Sequence, residues 1–152
     1  MTTWTEQLTA QAAPAAVLDV LTDPDACGRW APIDFDVADV TPSGRPLRAG
    51  SRARVEGRLA GRRIGFDVRV TAADEEHLAL LAQGPIALDV EYRLRPVATG
   101  SEVHASVAVH GDGFTGRLLA QATSALLAAG ALRTAVARIA REAEELSFAA
   151  AA

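Results

Sequence analysis

The chain has 152 residues, 49% of them apolar, and a formal net charge of -4. That size and composition fit a single domain, residues 1–152, with one packed core, and exclude a disordered chain. The acidic balance argues against nucleic acid as a partner, which a basic patch would mark.

Specific absences narrow the chemistry further. All 15 basic residues are arginine, and the missing lysine excludes Schiff-base catalysis and a Walker-type phosphate loop. One cysteine, Cys27, allows no internal disulfide, and no run of about 18 apolar residues occurs. The opening residues lack the basic region and apolar core of a signal peptide. The expectation is a cytoplasmic protein with no stable membrane insertion.

Trp4 to Ala10 alternates as a first strand, with Trp4, Glu6 and Leu8 on one face. Pro14 then opens a short helix whose apolar side is Val17, Leu18 and Leu21. Asp23-Pro24 repeats the signal, with Asp23 as N-cap and Pro24 at the first position of a second short helix. That helix ends near Gly28-Arg29-Trp30, and Pro32 prevents continuation.

Six strands follow. Phe35 to Val40 is closed by Pro42-Ser43-Gly44, and Ser51 to Leu59 pairs with Arg62 to Val70 across Ala60-Gly61. Ala53, Val55, Gly57, Ile64, Phe66, Val68 and Val70 share one face of this hairpin; arginines and acids take the other. A two-residue turn sets Arg54 opposite Asp67 and Val55 opposite Phe66, so pattern and turn agree on one register. His77 to Ala82 is a shorter strand. Ile86 to Leu94 and Glu102 to His110 form the last hairpin, with Arg95 meeting Glu102 on the wet face.

The chain then reads as one long amphipathic helix from Phe114 to Leu146. Leu118, Ala122, Leu126, Ala129, Leu132, Val136, Ile139, Ala143 and Leu146 recur at the helical period. Gly130 inside it marks either a bend or close contact with the sheet. Residues Ala149 to Ala152 are expected to fray. The predicted fold class is α+β: a curved antiparallel sheet of about seven strands wrapped around a long C-terminal helix, with two short helices after strand one.

The run Ala13-Pro14-Ala15-Ala16-Val17-Leu18-Asp19-Val20-Leu21-Thr22-Asp23-Pro24, followed by Trp30-Ala31-Pro32, resembles the opening of the START-like (SRPBCC) superfamily. It is most similar to the polyketide cyclase/dehydrase and lipid-transport branch. Val90-Glu91-Tyr92-Arg93-Leu94-Arg95-Pro96 and Thr99-Gly100-Ser101-Glu102-Val103 are similar to that branch's penultimate hairpin. The resemblance implies a helix-grip fold with a deep apolar cavity between sheet and helix. Its members bind lipids, polyketides or other apolar molecules, and some catalyse cyclisation or aromatisation.

The expected partner is therefore an apolar small molecule. Alternatives are a cyclase- or aromatase-type enzyme in the same cavity, and an interaction protein whose pocket its own side chains fill. Expected lining residues are Trp30 and Phe35; Val55, Phe66 and Val68; Leu88, Val90, Tyr92 and Val107; and, from the helix, Leu118, Ala122 and Leu126. Trp30 serves either as a core anchor or at the cavity mouth, where an indole offers apolar area and one donor. Tyr92, the only tyrosine, faces inward and needs a partner for its hydroxyl: a ligand oxygen, a backbone group or a water. It is the one candidate for catalysis. Ala53, Gly57, Ala105, Ala122, Ala125 and Ala129 leave room for a cavity.

No metal or cofactor is expected. His104 and His110 are about 20 Å apart on one strand, too far to share an ion. His77 reads as solvated, and Cys27 as a small half-buried thiol with Arg29 close by. Asp23 and Asp25 are explained by capping, and Asp34, Asp36 and Asp39 lie too irregularly for a calcium loop. Glu6 and Glu56 would become candidate bases only if burial in the cavity raised their pKa.

Overall fold

The computed structural model describes residues 2–31, 35–41, 47–59 and 61–151. Pro32, Asp34, the Pro42-Ser43-Gly44 turn, Ala60 and Ala152 lie outside the described residues. The elements are β1 (Thr2–Ala10), α1 (Pro14–Thr22), α2 (Cys27–Trp30), β2 (Phe35–Thr41), β3 (Arg52–Leu59), β4 (Arg62–Asp74), β5 (His77–Gln83), β6 (Ala87–Val97), β7 (Gly100–His110), α3 (Gly113–Ala128) and α4 (Ala131–Ala151).

The seven strands form one antiparallel sheet in the order β1-β7-β6-β5-β4-β3-β2. Six run as a meander, and β1 adds to the far side of β7. Register follows the alternation: Arg54 pairs with Asp67, Val55 with Phe66 and Arg95 with Glu102. Irregularities between Ala38 and Thr41, where Asp39 has φ 52°, and between Val70 and Ala72 interrupt the ladder. Such bulges bend strands and add curvature.

The second short helix begins later than Asp23-Pro24 implies. Asp23 folds back on its own backbone: its carboxylate accepts the Asp25 N–H at 3.0 Å, and its carbonyl accepts the Ala26 N–H at 3.1 Å. Pro24 to Ala26 are thereby held in a turn, and helix starts at Cys27.

The continuous helix from Phe114 to Leu146 is a further correction, because it is two helices. Gly130 sits at φ +101°, a left-handed conformation that glycine adopts at little cost and that ends helices. The Ala129 and Gly130 amides turn back to the Ala125 and Leu127 carbonyls, and the Gly130 carbonyl starts α4 by accepting from Thr134 at 2.9 Å. No atom lies within 4 Å of a Cβ built at Gly130, so the break is conformational and not a close sheet contact.

The break also resets the helix phase. In α4 the expected stripe holds, with Leu132, Val136, Ile139 and Ala143 all buried. In α3 the buried positions are Gly116 and Leu119, while Leu118 and Leu126 are 52% and 38% exposed. The apolar face there is turned by one residue. Leu146, past the end of the sheet, is also exposed.

α4 lies along β1 and α1, and polar contacts fix it at intervals. Arg133 approaches Glu6 at 3.6 Å, Arg138 donates to the Ala31 carbonyl at 2.8 Å, Glu142 meets Arg29 at 3.1 Å, and Glu144 accepts the Gln11 N–H at 2.9 Å. The fully buried Ser101 hydroxyl donates to the Ala12 carbonyl and ties β7 to the β1–α1 corner. The core spans α1, α4 and the adjoining half of the sheet, with Val17, Val20, Val103, Val136 and Ile139 at its centre. The other half of the sheet, covered by α3, is less filled.

Candidate functional site

That less-filled half holds a partly open cavity of about 290 Å³. It exists because β3 and β4 present small or medium side chains to the concave face while α3 packs on them loosely. Ala53 and Gly57 leave the space, and Val55, Ile64, Phe66 and Val68 form the wall around it. Leu78, Leu80 and Ala82 alternate along β5, and Leu88, Val90 and Tyr92 along β6, to make the floor. Leu21, Cys27 and Trp30 close one side, Phe35 and Val37 the edge, and Leu126, Leu127, Leu132 and Ala135 the roof. Carbon dominates every wall.

Of the expected lining residues, Trp30, Phe35, Val55, Phe66, Val68, Leu88, Val90, Tyr92, Val107 and Leu126 border the cavity. Leu118 and Ala122 do not. The one-residue turn of α3 carries Leu118 into solvent and brings Thr123 and Leu127 to the roof. Ala125 and Ala129 face outward as well, so the room comes from the sheet side. Sequence reasoning missed Leu78 and Leu80, although their alternation with Ala82 carried the signal. It also missed Cys27, which is buried and belongs to the wall.

The polar groups in the wall are few. The Thr123 hydroxyl is satisfied by the Leu119 carbonyl at 2.9 Å, and the Cys27 thiol points to the Asp23 carbonyl at 3.7 Å. Arg58 stands exposed at the rim. Tyr92 is only 5% exposed, and among the described residues its hydroxyl makes no hydrogen bond. The Trp30 indole N–H is likewise buried without a partner. Burial, then the repulsion of Asp23 and Asp25, pushes the Cys27 thiol up to about 12. Burial also pushes the Tyr92 phenol up, and the neighbouring Cys27 adds to it. Both groups are uncharged donors at neutral pH.

The remaining ionisable candidates lie elsewhere. Glu6 is on the inner face but beneath α4, beside Arg133, and Glu56 is on the outer face, 3.0 Å from Arg63. Neither borders the cavity. His77 is not solvated as expected: its ring is half-buried, with Nε2 3.7 Å from Glu91. His104 pairs with Glu102 at 2.5 Å and His110 with Asp112 at 3.2 Å, both on the surface. Among the described residues no cluster of His, Cys, Asp and Glu could hold a metal ion. None of the helices is long and apolar enough to cross a membrane among those residues.

The same architecture recurs in solved structures of low sequence identity. TTHA0849 from Thermus thermophilus is 14% identical with a TM-score of 0.73, over 96% of this chain and 99% of that one. Protein CV1439 from Chromobacterium violaceum is 17% identical with a TM-score of 0.68, over 93% and 96%. Ms6760 from Mycobacterium smegmatis is 16% identical with a TM-score of 0.64, over 97% and 92%. At such identities the likeness concerns the fold. No curated protein matches the sequence. A family profile, described as polyketide cyclase / dehydrase and lipid transport, matches residues 1–144. The match spans nearly the whole chain, including the 13–24 and 90–103 runs that carried the resemblance, and the chain belongs to this SRPBCC-type family.

Proposed function

We propose that the protein binds an apolar small molecule, lipid-like or polyketide-like, in the cavity between the sheet and the α3–α4 roof. The observation that carries this reading is the cavity of about 290 Å³ left open behind walls made almost wholly of carbon. Apolar cavities hold water poorly and accept apolar guests, and small-molecule sites are concave and mainly apolar. Each 100 Å² of apolar ligand surface taken from water contributes about 2.5 kcal/mol, so no charged contact is needed. The family description, which includes lipid transport, supports the same reading. A pocket filled by its own side chains is disfavoured by the open space.

A turnover reading draws support from Arg58 at the rim and Tyr92 in the wall, a cation and a phenol that could polarise a carbonyl between them. It is the weaker reading, because neither a carboxylate nor a histidine borders the cavity among the described residues.

Native mass spectrometry of protein purified gently from its host, followed by identification of released molecules, tests binding directly. Uptake of Nile red by the emptied protein is the companion measurement. Val55→Trp, which fills the space from the sheet side, should lower Nile red affinity at least tenfold while keeping the fold. Equal uptake by the filled and unfilled proteins would place the dye on the surface and sink the proposal.

A further inference from the structure

Charge is spread unevenly along this chain. The β3–β4 hairpin, residues 52–69, carries six of the 15 arginines and only two of the 19 acids, a balance of +4. The rest of the chain holds nine arginines and 17 acids, a balance of -8.

Alternation places most of the hairpin's arginines on the outer face, and the register makes them meet. Arg52 stands directly opposite Arg69 and Arg58 opposite Arg63, like charges on neighbouring strands that oppose folding. Both acids of the hairpin are engaged. Arg54 lies in the space that a side chain at Gly65 would fill and reaches Asp67 at 3.1 Å, and Glu56 takes Arg63 at 3.0 Å. The flanking strands offer no relief. On β5, Leu81 and Gln83 face Arg69 and Asp67, and on β2, Asp36 faces Glu56. Arg52, Arg58, Arg62 and Arg69, all exposed, are left without a carboxylate partner among the described residues.

The arrangement selects the kind of anion that would face this hairpin. The two like-charge pairs are six residues apart along β3, about 20 Å, so no single small anion spans them. A surface carrying many anions places one beneath each. Arg58 also belongs to the cavity rim, together with Leu126, which borders the cavity and is 38% exposed. A cation beside an exposed leucine at the mouth of an apolar cavity matches a surface that is anionic outside and hydrocarbon beneath. An acidic protein or a nucleic acid supplies the charge without the apolar layer. The same anions repel the acidic remainder of the molecule and so turn the hairpin toward them.

We propose that the β3–β4 hairpin docks the protein on an anionic lipid bilayer, with the cavity mouth set at the surface where an apolar ligand is exchanged. The choice of a bilayer rests on the binding reading above; the docking charge does not.

Vesicle flotation tests it, with phosphatidylcholine alone against an equal mixture of phosphatidylcholine and phosphatidylglycerol. The protein is expected to bind the anionic vesicles at least tenfold more tightly, at about fivefold per engaged arginine, and to release them in about 1 M salt. Arg62→Glu with Arg69→Glu brings the hairpin to zero charge and sets a carboxylate opposite Arg52, which relieves repulsion and keeps the fold. Neither residue borders the cavity. This double variant should lower affinity for anionic vesicles at least tenfold with Nile red uptake unchanged. Arg117→Glu with Arg141→Glu changes the net charge equally but lies outside the hairpin, and should weaken binding far less. Equal binding to both vesicles, binding to neither, or the same loss from both double variants overturns the proposal. Tighter capture by polyglutamate or by oligothymidylate than by anionic vesicles also overturns it, making the partner an acidic protein or a nucleic acid. A parent protein that floats with anionic vesicles but takes up no Nile red removes the cavity reading alone and leaves the docking in place.

Discussion

Cys27 illustrates how one side chain's surroundings set its chemistry. Arg29, two residues away in sequence, does not reach it: Arg29 turns outward to Glu142, and the thiol is left with burial and two carboxylates. Its pKa therefore rises from 9.0 to about 12 where proximity to arginine in sequence hinted at a fall. The consequence for stability has a definite sign. In the unfolded chain the thiol loses its proton near pH 9, while in the folded protein it holds it to about 12. The contribution is fully present below pH 9 and is lost as the pH rises toward 12. Tyr92, also pushed up by burial, acts in the same direction. Cys27→Ala should flatten the decline of Tm with pH across this window; a decline as steep as in the parent protein would mean the thiol is not held protonated. Glu91 and Glu102 behave oppositely. Hydrogen bonds from Arg93 and His104 respectively are the main causes holding their carboxyls below the usual range, so their surface contributions fade as the pH falls.

Residues on strands were legible from sequence because a strand offers only two faces. Val55, Phe66, Val68, Val90 and Tyr92 had to point inward once the arginines were seen to point out. Phe35 and Trp30 were legible as large apolar side chains next to turns, but which wall they met was not.

At the scale of elements, strands and helices differ in how far local pattern fixes them. The β3–β4 register follows from two independent constraints, a short turn and sharp alternation, and a slip of β3 by one residue would turn Arg52, Arg54 and Arg58 inward. α3 has no such protection. Leu118-Leu119 and Leu126-Leu127 are adjacent pairs, so two helix faces have nearly equal claims, and alanine elsewhere settles nothing. Gly130 decides between them by breaking the helix and freeing α3 from the phase of α4. Because nothing would touch a Cβ at residue 130, Gly130→Ala tests conformation alone. Forcing alanine to φ near +100° is expected to lower stability by about 1 kcal/mol in urea unfolding. A more stable, more helical variant would show that the two helices can run on as one and that the break is not required. α3 also lacks the ion pairs that fix α4 among the described residues, and it carries Phe114 86% exposed. Its amides should exchange with deuterium faster than those at the centre of α4.

On the scale of the whole molecule, the order of elements was legible and the division of labour between them was not. Sheet, short helices and C-terminal helix follow from period and punctuation. That one half of the grip is a packed core under α4 and the other a cavity under α3 depends on how α1, α4 and β1 meet, contacts between distant parts of the chain that leave no periodic mark. The mixture of Ala53 and Gly57 on the inner face hinted at space without locating it.

The pairing of β1 with β7 has one more consequence, for the order in which the fold can assemble. Thr2 to Ala10 find their partners at Val109 to Ser101, and α4, which covers β1, comes later still. During synthesis the first strand therefore leaves the ribosome with no place to dock. It must wait, an exposed edge with an indole on it, until nearly the entire chain has emerged. Closure of this kind makes for slow folding, on the order of milliseconds to seconds. In a Trp30→Phe background the remaining indole, Trp4, should report that closure. Its fluorescence change on refolding is expected to coincide with recovery of the final structure, and a Trp4 signal that completes well before the sheet's circular dichroism would mean β1 finds another partner first.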